Sequence, residues 1–200
     1  MKTNIIQKTL LSIAMLGVTS ASADGVKTKD TIGINIGIAS TNYSEKNHQG
    51  SITQPDKKFK LVEVYGEYGT IIRDDIKPYL SYTYSKNDDL KHQYLLIGAN
   101  KYFEFDKFLP YVGLVAGYGQ IDWKYDPINS SKDVNADANS FIAGLNLGIN
   151  YNVTQDLALN LNSKVLFHDY ETNIEPQTGI QSTIEHDRTI SASIGLKYLF

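Results

Sequence analysis

The stretch SASIGLKYLF, Ser191 to Phe200, decides the fold. Ala192, Ile194, Leu196, Tyr198 and Phe200 alternate with Ser191, Ser193, Gly195, Lys197 and Leu199. A helix repeats every 3.6 residues and would scatter the apolar set around its surface. A strand repeats every two and gathers that set on one face. One face is therefore apolar and aromatic, and the other is mainly small and carries a lysine.

The same alternation recurs upstream, giving eight expected strands. In residues 31–43, Ile32, Ile34, Ile36 and Ile38 alternate with Gly33, Asn35, Gly37 and Ala39. Residues 59–71 set Val62, Val64 and Tyr68 against Glu63, Tyr65 and Glu67. Residues 79–85 set Leu80, Tyr82 and Tyr84 against Ser81, Thr83 and Ser85. In residues 93–105, Leu95, Ile97, Ala99 and Phe103 oppose Leu96, Gly98 and Asn100. In residues 111–125, Gly113, Gly117 and Gly119 oppose Leu114, Ala116 and Tyr118. The apolar phase then changes near Gln120, to Ile121, Trp123 and Tyr125, and a β-bulge is the expected cause. Residues 140–153 and 157–170 give two clear stripes, Phe141 to Val153 and Leu157 to Phe167, with Asn160, Asn162, Lys164 and His168 opposite the second. The eighth strand spans about 188–200.

Long polar connections alternate with tight ones such as RDDIK, FDKF and TQD. That arrangement describes an up-and-down meander. Two tight turns lead into similar phrases, KPYLSY (Lys77 to Tyr82) and LPYVGL (Leu109 to Leu114). Proline suits a strand opening, where its missing N–H is not yet needed. The fourteen tyrosines, many near strand ends, suit a membrane–water girdle.

Two architectures could bury such strands. A soluble barrel would turn its apolar face inward and present Lys and Glu to water. Here the face opposite the apolar one is rich in Gly, Ser and Asn, which fits a narrow closed lumen. Most segments reach the ~9–11 residues that a tilted spanning strand needs. The stripes Ile32–Ile38, Phe141–Val153 and Ile190–Phe200 carry no charge on the apolar face. The expected fold is an all-β, eight-stranded antiparallel up-and-down transmembrane barrel.

Lys2 and Lys8, the apolar run LLSIAMLGV and Ala21-Ser22-Ala23 read as a secretory signal over residues 1–23. The barrel domain is expected over 24–200. The net charge is −3, and more negative once Lys2 and Lys8 leave, which disfavours a nucleic-acid partner. With no cysteine in the chain, disulfide, thiolate-metal and cysteine-nucleophile chemistries are excluded.

The inward charges are Glu63, Glu67, Lys164 and Lys197, and buried charges should pair. The expectation is a luminal ion-pair network; the sharper alternative is a narrow ion path or gate. Of the histidines, His48, His92 and His186 are placed in loops or at strand tops, and His168 inward near an outer strand end. None shows a spacing typical of a metal pair, and neither a metal nor another cofactor is expected. GLVAGYG, Gly113 to Gly119, lacks the Lys and Ser/Thr of a phosphate loop.

The signal segment, the eight alternating strands, KPYLSY, LPYVGL and the terminal IGLKYLF together resemble the small bacterial outer-membrane barrels related to the OmpA transmembrane domain and the opacity-type surface proteins. The resemblance covers nearly all of residues 24–200. It implies a place in the cell outer membrane, with both termini on the periplasmic side. It implies that Leu196, Tyr198 and Phe200 form the signal read by the barrel-assembly machinery. It also implies no peptidoglycan-binding domain after the barrel. Expected partners are outer-membrane lipid, lipopolysaccharide and host or envelope proteins met by the long loops. The implied role is structural or surface-interactive, with transport of ions or small solutes as the alternative. Enzymatic activity is not expected. The His-x-Ser pair of lipid A deacylases does not occur here. The acidic and histidine pairs of omptin-type proteases have only Asp88-Asp89 and His186-Asp187 as counterparts, in a shorter chain with fewer strands.

Overall fold

Eight strands follow one another: β1 (Lys29–Asn47), β2 (Ile52–Ile71), β3 (Ile76–Lys86), β4 (Leu90–Tyr102), β5 (Phe108–Trp123), β6 (Ala136–Asn152), β7 (Leu157–Ile174) and β8 (Ser182–Leu199). The computed structural model describes residues 29–47, 52–71, 75–123, 136–174 and 182–200. The expected signal segment, His48 and Tyr125 lie outside them. Each strand pairs antiparallel with the next, and β1 closes the barrel against β8.

The closing seam runs from Thr31 opposite Leu199 to Asn47 opposite Ser182. Phe200 extends it by one step. Its N–H donates to the Asp30 carbonyl at 2.9 Å, and the Asp30 N–H donates to the Phe200 carbonyl at 3.0 Å. No strand edge is left open, as a chain in hydrocarbon requires.

The end where β1 begins and β8 ends is taken as periplasmic, as the resemblance implies, and along the wall from that end the apolar stripes face outward. Ile32, Ile34, Ile36 and Ile38 are all more than half exposed, and so are Ile194, Leu114 and Phe141. Gly33, Asn35, Glu63, Glu67, Asn146, Asn162 and Lys197 face inward. At the periplasmic edge Lys101 faces out and pairs with Asp75 in the preceding turn. This is where a charge can leave the hydrocarbon.

Toward the outer end the pattern inverts. On β2, Lys58 and Lys60 are exposed while Leu61 is buried. On β5, Gln120 and Asp122 face outward while Ile121 and Trp123 are 1% and 2% exposed. β6 turns Asp137 and Asn139 out and Ala138 and Ile142 in; β7 turns Asp169 and Glu171 out and Tyr170 in. On β8, Ile184 is buried and Asp187 and Arg188 are exposed. The strands, up to 20 residues long, overrun the ~9–11 residues that cross a bilayer. Their outer ends therefore stand in water, where an apolar side chain belongs inside.

This inversion corrects the β-bulge expected near Gln120. The register of β5 with β4 and β6 is unbroken through Trp123. Alternation continues, and only the environment changes, so Ile121 and Trp123 enter the barrel without a bulge. The irregularities lie elsewhere: between Asn42 and Tyr43 on the β1–β8 seam, between Tyr43 and Lys46 on β1 against β2, and between Phe167 and Tyr170 against β8.

The position of the hydrocarbon is testable at Ile194, which sits opposite Ile36 and Leu161 on the outer face. Ile194→Arg should destabilise the vesicle-embedded barrel by about 2–4 kcal/mol, as for a midplane cation. Urea unfolding from vesicles measures it; an unchanged unfolding free energy would place Ile194 outside hydrocarbon.

Candidate functional site

The interior is built in layers, and the first is ionic. Glu67, on β2, lies across from β8 and β3. Lys77 Nζ and Lys197 Nζ each lie 2.9 Å from its Oε1. Gly33 makes the room: a Cβ there would fall 2.9 Å from Glu67 Cγ and 3.2 Å from Lys197 Cγ. Glu67 and Lys197 were legible as inward charges, but not as each other's partners. Lys77 was not, because it stands just before Pro78 at the start of a strand and read as part of an opening phrase. The alternation that places Tyr79 and Ser81 inward places Lys77 there too.

The other two members of the expected network, Glu63 and Lys164, do not touch each other. Glu63 accepts a hydrogen bond from the Tyr94 hydroxyl at 2.7 Å. Lys164 Nζ lies 3.4 Å from the centroid of the Tyr65 ring, a cation–π contact, and has no hydrogen-bond partner. The two charges interact through space rather than through a bond. Breaking a buried pair costs about 3–5 kcal/mol, so the Glu67 cluster holds this layer.

Amides and phenols fill the space beside the ions. Asn146 Nδ2 donates to the Tyr79 hydroxyl at 2.8 Å and to Asn100 Oδ1 at 3.0 Å. Asn160 and Asn162 both donate to the Tyr111 hydroxyl, at 3.0 and 2.9 Å. The asparagines therefore cross-link β3, β4, β5, β6 and β7 through the lumen.

Above them the inverted strand ends form a roof. Tyr43, Phe59 and Trp123 meet with ring centroids 4.8–5.7 Å apart. His186 packs 5.3 Å from Trp123. Below, His92 Nε2 and the Tyr170 hydroxyl are 2.9 Å apart. His168 Nδ1–H donates to the His186 carbonyl at 3.0 Å, and its Nε2 lies 2.8 Å from Thr189 Oγ1. His92 and His186 are thus buried strand residues rather than solvated loop residues. The connecting stretches looked polar, so their short-range pattern gave no sign that these side chains point inward. His186 and the exposed Asp187 face opposite ways, and Asp88 and Asp89 sit in the turn after β3. No group of three or more His, Cys, Asp or Glu side chains among the described residues is placed to hold a metal ion.

A closed eight-stranded wall, a small polar lumen and an apolar outer belt define the fold, and the sequence itself gives the family. The profile of the OmpA-OmpF-like porin family matches residues 26–192. The chain belongs to that family. This porin-family barrel is an outer-membrane protein. Its fold is similar to that of Neisserial surface protein A, with 16% identity, a TM-score of 0.57 and coverage of 84% of this chain and 97% of that one. The outer membrane protein OprG of Pseudomonas aeruginosa gives 17% identity, a TM-score of 0.54 and coverage of 88% and 98%. The N-terminal barrel domain of OprF from the same organism gives 14%, 0.50, and 85% and 97%. No curated protein matches the porin-family chain in sequence.

The roof histidines stand above the lipid belt, where the outward neighbours Lys91, Asp122, Glu185 and Asp187 meet water. Burial, and then His168 nearby, push His186 down to about 3. Burial, followed by the His168 and His186 charges, holds His92 well below its ordinary 6.5. The folded barrel keeps these rings neutral while an unfolded chain protonates near 6.5. Their contribution to stability is therefore present above pH 6.5 and lost as the pH falls below it, for His186 down to about 3. Trp123, the one tryptophan of the chain, reports it. Its emission should quench and shift as the pH drops through this window, and His186→Phe should flatten the response. Identical profiles for both proteins would show that the roof does not titrate.

Proposed function

We propose that this protein is a sealed outer-membrane anchor with a structural or surface-interaction role, supporting adhesion or envelope integrity. The observation that carries the reading is the filled lumen, with the Glu67 ion cluster and asparagine layer below and the Trp123 roof above. An eight-stranded interior is just wide enough for side chains to occupy, and here they do. What remains for function is the part in water: strand ends stiffened by their own apolar core, carrying Lys58, Lys60 and Lys86 on one side and Asp137, Asp169 and Asp187 on another. Such a rim suits lipopolysaccharide and envelope or host proteins as partners.

The assembly role of Leu196, Tyr198 and Phe200 belongs to the same proposal. Leu196, Tyr198 and Phe200 all face outward, and the rings of Tyr198 and Phe200 stack at 6.1 Å. The assembly machinery would read this apolar edge before β8 meets β1. Deleting Phe200 should lower the assembled fraction in cells while leaving the refolded barrel's unfolding midpoint nearly unchanged. Equal assembly with and without Phe200 would remove the role.

Planar-bilayer recording tests the sealed reading. The protein should give no stepwise conductance at neutral pH, and adhesion or envelope-integrity assays should depend on the outer rim. Reproducible single-channel steps, altered in Glu67→Gln or Lys164→Met, would instead favour the narrow-channel reading.

A further inference from the structure

The buried charges of the described lumen do not balance. In their ordinary charge states Glu63 and Glu67 are negative and Lys77, Lys164 and Lys197 are positive, and each of the five is at most 5% exposed. The excess sits at the periplasmic end, where two ammonium groups share a single carboxylate oxygen. Lys197 Nζ is at ion-pair distance from Glu67 but lacks an aligned hydrogen bond. Glu104, Asp106 and Asp156, in the turns at this end, are exposed, and the two nearer carboxylates are engaged elsewhere. Asp30 accepts from Tyr68 and Thr70, and Asp75 pairs with Lys101 on the outer face.

Next to the two lysines lies a cavity of about 50 Å³. Lys77, Lys197, Tyr102, Thr31, Asn150 and Asn152 are among its walls, and the ends of β2, β5 and β8 form its periplasmic rim. Tyr102 is 6% exposed and its hydroxyl has no hydrogen-bond partner. The space exceeds the ~10–15 Å³ that a single water needs. Water there would hydrate the lysines without neutralising them, and an uncompensated buried charge is costly. A doubly charged anion would overcompensate a single excess cation.

We propose that this cavity binds one small monovalent anion of halide size from the periplasm, held by Lys77, Lys197 and the Tyr102 hydroxyl. The anion completes the charge balance that Glu67 alone cannot provide. Lys77 is the residue on which the site depends. Without it Glu67 and Lys197 are a one-to-one pair, and the lumen holds two cations against two anions.

Chloride and gluconate at equal ionic strength test the site, gluconate being too large to enter. The refolded barrel should unfold at a higher urea midpoint in chloride than in gluconate, and bromide should substitute for chloride. It should also broaden the chloride NMR line in a way that bromide reverses. Lys77→Met should stay folded by heat-modifiable gel mobility and bind chloride at least tenfold more weakly. Tyr102→Phe, which deletes one donor and no charge, serves if Lys77→Met does not fold, and should weaken binding severalfold. Lys60→Met, on the outer rim, should bind as the parent does. Equal midpoints in the two salts with no line broadening would overturn the proposal. So would chloride binding undiminished in Lys77→Met or, where that variant does not fold, in Tyr102→Phe.

Discussion

Hydrocarbon forms no hydrogen bonds, and the rest of this structure follows from that. Each backbone group in the bilayer must be paired, so β1 has to meet β8 and the sheet must close. Each outward side chain at that depth must be apolar or small, so the isoleucines of β1 and the leucines of β6 point away from the barrel axis. Closure at eight strands then leaves a narrow interior that small residues and a few long polar ones can fill. The glycine and asparagine faces are the consequence of this geometry rather than a separate feature.

The same constraint explains where it ends. Above the lipid belt the solvent is water, and the strands respond by exchanging faces. Ile121 and Trp123 turn inward at the level where Gln120 and Asp122 turn outward. One barrel thus has two kinds of core. The outer end is an ordinary hydrophobic core of Leu61, Leu90, Ile121, Ile142 and aromatic rings. The periplasmic end is polar, with amides and ions that must satisfy one another. The ionic layer lies in the second region because its charges need partners from three strands, and only the small inward residues leave space for the lysine stems.

Much of this was legible in the sequence. The strand count, the facing of Ile32 to Ile38 and Phe141 to Val153, and the inward positions of Glu63, Glu67, Lys164 and Lys197 all follow from period-two alternation. Two features escaped because they depend on more than alternation. The hydropathic phase change near Gln120 was visible, but a bulge and a change of solvent give the same local pattern; only the register separates them. The convergence of His92, His168 and His186 joins β4, β7 and β8, and no local spacing reveals partners so far apart in sequence. Lys77 lay within reach of the periodicity, yet its neighbour Pro78 marked the stretch as a turn exit. Which of the four inward charges touch one another was not legible at all. Inward facing places two charges in one lumen without fixing their height, and Lys164 meets the Tyr65 ring first.

The central claim is that lipid touches the isoleucine–leucine stripes while the glycine–asparagine faces enclose the lumen. The chain has no native cysteine, so single spin labels can be placed along β1 and β8 of the vesicle-embedded barrel. Collision rates with oxygen, which concentrates in lipid, and with a water-soluble nickel complex read each position. The account predicts high oxygen and low nickel accessibility at positions 34, 36, 192 and 194. It predicts low accessibility to both at 35 and 193, and high nickel accessibility at 58 and 60 on the outer rim of β2. High nickel accessibility at 34, 36 and 194, with oxygen excluded, would contradict it.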